Sequence, residues 1–86
     1  MKNIKNKEWI KKLDIIIGLI DRNSYKPALT RINNFLKVTN FERDYVSFLK
    51  GMVLGRLGST KESISLFNNL LKKDLKKDLK LMILIS

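Results

Sequence analysis

Shifted by 35 residues, the chain falls onto itself. Leu13 meets Phe48, Ile17 meets Met52 and Leu19 meets Leu54. Further on, Tyr25 meets Thr60, Ala28 meets Ser63, Leu29 meets Ile64, Ile32 meets Phe67, Phe35 meets Leu70 and Leu36 meets Leu71. The punctuation coincides too, Asn23-Ser24 against Gly58-Ser59. An internal period of this length restricts the fold strongly. Each copy is one supersecondary unit that cannot bury its apolar face alone, so the copies must stack.

Each copy reads as two helices. Residues 7–22 carry Trp9, Ile10, Leu13, Ile16, Ile17, Leu19 and Ile20 at spacings of three and four. Asn23-Ser24 ends that run. Ser24 is a candidate cap for residues 25–38, and Pro27 lies in the first turn, where its missing N–H costs nothing. Thr39 and Glu42 have capping-box spacing ahead of a third segment, about 41–57, which Gly58 stops. Ser59 and Glu62 repeat the box ahead of a fourth. No stretch alternates with period two over a strand's length. The chain is predicted to be all-α, a single domain of two stacked antiparallel hairpins. Repeat one covers about 9–41 and repeat two about 44–75. Beyond them Lys72-Lys-Asp-Leu-Lys-Lys-Asp-Leu-Lys80 repeats every four residues. Segment four either runs on as one helix or turns near Asp74 into a C-terminal helix over about 76–85. Leu75, Leu79, Met82 and Ile83 then form an apolar stripe, which caps the second hairpin or pairs with a second copy of the chain.

Gly51 and Gly55 stand inside the third segment, although Gly costs a helix interior ~1 kcal/mol relative to Ala. Close helix contact accounts for Gly51. With Ser63 on the next helix it removes bulk, so the backbones approach, and Phe67 fills the space beside them. Gly55 has no such reading; it faces a ligand or a neighbouring helix, or is merely tolerated. In Gly51, Leu54, Gly58, Ser63, Phe67 and Leu71 the second copy closely resembles the tetratricopeptide repeat family. The first copy is similar through Leu19, Tyr25, Ala28, Ile32 and Leu36. The likeness covers about residues 9–75. It departs from the family at Ile16, where a small residue is usual, at Ser47, where an aromatic is common, and in having no proline after the second copy.

The resemblance implies a protein-interaction module whose concave face is lined by the first helix of each repeat. Carried over, that face holds Ile10, Leu13, Ile17 and Ile20 from copy one and Tyr45, Phe48, Met52 and Arg56 from copy two. It suits a hydrophobic peptide or an amphipathic partner helix, with an acidic group opposite Arg56. Ile17 and Met52 stand where some members place an asparagine, so no carboxylate clamp is expected. The competing reading is that several of these side chains, Leu13 and Ile17 first among them, are simply core.

Composition narrows the chemistry. The chain has no cysteine and no histidine, which removes disulfides, thiol chemistry, most zinc sites and histidine triads. Its eight acids are scattered, with no carboxylate pair to read as an acid–base couple. An enzyme is not expected, nor a cofactor, and the lack of cysteine fits a cytoplasmic adaptor or chaperone-like protein. The formal net charge is +10. Residues 1–12 hold five lysines and residues 72–80 hold five more. That field attracts nucleic acid or an anionic membrane surface, the alternative reading, or it merely decorates a solvated helical surface. Only Trp9 supplies an aromatic among those lysines. The apolar runs at 15–20 and 81–85 fall far short of the ~20 residues a membrane span needs. Asp14, Asp21 and Arg22 spoil the likeness of residues 1–20 to a signal peptide.

Overall fold

The computed structural model describes residues 2–72 and residue 83, with side chains from residue 7 onward. It is all-helical over these residues. Helix α1 spans Lys2–Asp21, α2 Tyr25–Val38, α3 Arg43–Arg56 and α4 Thr60–Leu71, each packed against the next. The short connections after α1 and α3 fold each pair into a hairpin.

The 35-residue match extends to the backbone of these turns. After α1, Asn23 takes a left-handed φ of 62°. The Ser24 N–H then donates to Leu19 O at 2.8 Å and the Asn23 N–H to Ile20 O at 3.0 Å. After α3, Gly58 takes φ 89°, the Ser59 N–H donates to Leu54 O at 2.9 Å and the Gly58 N–H to Gly55 O at 3.2 Å. Both are Schellman motifs, built on residues 35 apart, and each uses a residue type that tolerates left-handed backbone.

The caps differ from the sequence expectation. Ser24 and Ser59 occupy N-cap positions, but neither side chain makes a capping hydrogen bond. Their carbonyls instead accept the first helical bonds, from the Ala28 and Ser63 N–H groups. Thr39 forms no capping box. Its Oγ1 accepts from the Phe41 N–H at 3.1 Å, and Glu42, at φ 46° and ψ 42°, becomes the N-cap of α3. The left-handed turn at Glu42 moves the start of α3 to Arg43, two residues later than the periodicity suggests. Helix α1, conversely, begins at Lys2, five residues before the start at residue 7 that the periodicity suggests.

The core is built from one stripe each of α1, α2 and α4 and from more of α3. Leu13 and Ile16 enter it from α1, Ala28, Ile32 and Phe35 from α2, and Leu70 from α4. Trp9 meets Phe35 edge to face, centroids 5.9 Å apart at 76°. Helix α3 contacts both α2 and α4, and Val46, Phe48, Leu49 and Val53 are all buried. At the positions 35 residues before Val46, Leu49 and Val53 stand Lys11, Asp14 and Gly18. Lys11 and Asp14 are exposed, and space is open beside Gly18. The self-match therefore breaks on the face of α3 that another hairpin covers, because the same face of α1 meets solvent. Ile83 is helical and buried in the core cluster at 4% exposure. Leu75, Leu79 and Met82, with the question of one C-terminal helix or two, lie outside the described residues.

Candidate functional site

Gly51 explains how α3 and α4 meet. A Cβ there would sit 2.8 Å from Phe67 Cζ and 2.9 Å from Leu66 Cδ2, closer than side-chain carbons pack. The Phe67 ring occupies the place a side chain would take, and its far side meets Phe48 at 5.8 Å. The Ser63 hydroxyl donates to the Gly51 carbonyl at 2.7 Å, a buried bond between the two helices. Ser63 is thus more than small. It satisfies its own hydroxyl where burial without a partner would be costly. Gly55 is one turn further along α3. A Cβ there would meet Ser63 Oγ at 3.4 Å, ordinary contact, and Gly55 itself is exposed.

Beside this contact lies a cleft of about 620 Å³. Its apolar surface comes from Ile20, Met52 and Phe67, with exposed backbone at Gly55. Asp21, Asn23, Tyr25 and Arg56 line it with polar groups. The first Schellman turn positions two of these, and the Tyr25 hydroxyl donates to Asn23 Oδ1 at 2.8 Å. Asp21 and Arg56 are exposed and occupy positions 35 apart in the two copies, so the lining carries opposite charges at matching positions. Such a surface presents an apolar floor, accessible backbone and two charged groups of opposite sign. It can hold an apolar segment and orient it by charge. Among the described residues, no group of three or more acidic, cysteine or histidine side chains is placed to hold a metal.

The residues expected to face a partner divide. Ile20, Met52 and Arg56 come together in the cleft. Leu13 and Phe48 do not. They are 8% and 2% exposed and belong to the core, as the competing reading had it for Leu13. Ile17 and Tyr45 are half-buried and pack against that core, Tyr45 stacking on Phe48 at 6.5 Å. Ile10 is 46% exposed but does not line the cleft. Of the C-terminal stripe, Ile83 is buried, and Leu75, Leu79 and Met82 lie outside the described residues. The cleft also includes Asp21, Asn23, Tyr25 and Phe67, which were not among the expected partner residues. Asn23 and Tyr25 flank the turn that the self-match marks, and that was the available signal.

Comparison with family models, curated proteins and solved structures gives no match for this chain.

Proposed function

We propose that this chain is a small protein-interaction module of the tetratricopeptide type, adaptor- or chaperone-like and acting in the cytoplasm. Its cleft takes an apolar peptide or one face of a partner helix. What supports the family reading is the pair of Schellman turns 35 residues apart, together with the close α3–α4 contact built on Gly51, Ser63 and Phe67. The observation that carries the function is the cleft itself. Ile20, Met52 and Phe67 supply apolar lining, Gly55 leaves backbone uncovered, and Arg56 and Asp21 stand ready to fix a partner's direction. Burying one large apolar side chain of a partner there is worth ~1.5–3 kcal/mol before ordering costs. An affinity in the micromolar range therefore needs several such contacts.

The test is a pair of synthetic peptides built from leucine, glutamate and alanine, equal in composition. One has its leucines on one helical face and the other has them scattered. The amphipathic peptide is expected to bind and to shift the backbone NMR signals of Ile20, Met52 and Gly55. Met52→Glu is expected to weaken it by at least about tenfold, the cost of setting a charge in an apolar contact. Equal binding of the two peptides, or shifts confined to other surfaces, would sink the reading.

A further inference from the structure

The far end of the α1–α2 hairpin holds a second concavity, about 440 Å³, lined by Trp9, Lys37, Val38, Thr39 and Asn40. Trp9 is the chain's one tryptophan. Its ring rests on Phe35 in the core and is half-buried, while Lys12 Nζ lies 5.4 Å from the ring centroid. Lys7, Lys11, Lys12 and Lys37 are all exposed. The C-terminal end of a helix is ordinarily a poor neighbour for an anion, because its last carbonyls carry partial negative charge. Here two of those carbonyls are occupied. Phe35 O accepts from the Thr39 N–H at 3.1 Å, and Leu36 O accepts from Arg43 Nη1 at 3.2 Å. The second bond also brings a guanidinium to this turn.

We propose that this end of the molecule binds single-stranded nucleic acid, with a base against the Trp9 ring and phosphates on Lys7, Lys11, Lys12 and Lys37. The site is distinct from the peptide cleft and does not depend on it. Three features select this occupant. The net charge of +10 supplies the complementary field. The aromatic ring is half-buried in the lining of a concavity, with Lys12 beside it to meet a phosphate, so an unstacked base reaches it and a base paired within a duplex does not. The remaining lining offers Thr39 and Asn40, which hydrogen-bond a base edge or a sugar. A membrane surface would call instead for protruding apolar side chains, and Val38 is the one exposed large apolar residue in this lining.

The sole tryptophan makes the test local. An oligothymidylate of about 20 nucleotides is added to the full chain while Trp9 emission and the anisotropy of a labelled oligonucleotide are followed. Both signals are expected to change together. If about four phosphates are neutralised, the dissociation constant rises about 50-fold between about 50 mM and about 200 mM salt. Lys37→Glu is expected to weaken binding at least about tenfold. Lys61→Glu changes the net charge equally at the start of α4, at the other end of the bundle, and is expected to cost less than about threefold, since screening limits distant charges. Circular dichroism checks that both variants stay folded, and Lys37→Gln replaces the first if it does not. The proposal is overturned by no binding at low salt, or by anisotropy changing with Trp9 emission constant. It is equally overturned if a duplex of the same length binds as tightly, if the two charge reversals cost the same, or if vesicles of anionic lipid move Trp9 emission and the oligonucleotide does not.

Discussion

At the scale of single residues, the glycines of α1 and α3 separate three physical situations that sequence alone merges. Gly18 has open space where a Cβ would go, Gly55 has ordinary contact, and Gly51 has the Phe67 ring. Replacing Gly by Ala within a helix gains ~1 kcal/mol of propensity wherever the side chain fits. Gly18→Ala and Gly55→Ala are therefore expected to raise the midpoint of urea unfolding. Gly51→Ala is expected to lower it. There the ring must move while it is also held against Phe48, and overpacking of a well-filled contact costs about 1–3 kcal/mol. If all three substitutions stabilise, the α3–α4 contact is looser than its geometry implies. Ser63 gives the matching test from the other helix. Ser63→Ala removes the hydroxyl donated to Gly51 O and is expected to cost about 1 kcal/mol. Ser63→Leu adds bulk at a position 6% exposed and is expected to cost about 1–3 kcal/mol. A neutral Ser63→Leu would mean that the helices do not approach here.

At the scale of elements, four helices and their order were readable from periodicity, and two of the turns from a shared pair of residues. What was not readable follows from local geometry and from neighbours. The spacing of Thr39 and Glu42 fits a capping box, yet the Thr39 hydroxyl accepts from Phe41 and the backbone turns at Glu42. Both outcomes use the same residues, and the choice between them depends on how α2 and α3 pack. Holding a non-glycine residue in left-handed backbone costs roughly 1–2 kcal/mol. Glu42→Gly is accordingly expected to stabilise the chain by about 0.5–1 kcal/mol once the extra freedom of glycine in the unfolded state is offset, read as a higher thermal midpoint. A lower midpoint would show that the Glu42 side chain makes a contribution larger than the strain. The partner face was legible in part for a related reason. Helical spacing places Leu13, Ile17, Phe48 and Met52 on the inner side of their helices. It does not say whether the inner side meets a partner or a neighbouring helix. Helix α3 lies between α2 and α4, so Phe48 goes to the core and Met52, one turn on, reaches the cleft.

At the scale of the whole molecule, a chain this small has little stability to lose, on the order of 5–10 kcal/mol. Its interior depends on a residue far from the four helices in sequence. Ile83 lies twelve positions beyond Leu71, the last residue of α4, and is nonetheless 4% exposed within the core cluster. Truncating a buried isoleucine costs about 2–5 kcal/mol, because the lost burial is compounded by the cavity left behind. Ile83→Ala is therefore expected to take a large share of the total stability while leaving the molecular size unchanged. Deleting residues 76–86 opens the same part of the core and exposes the surface that Ile83 covers. The deletion is expected to yield a destabilised or aggregating chain, measured by chemical unfolding and by light scattering. The competing arrangement, in which the C-terminal stripe pairs with a second copy, requires the opposite: a larger species for the intact chain and a folded, smaller one after deletion. Burial of Ile83 against side chains of its own chain favours the first outcome, since that contact is made without a second copy. A neutral Ile83→Ala together with unchanged size on deletion would defeat both.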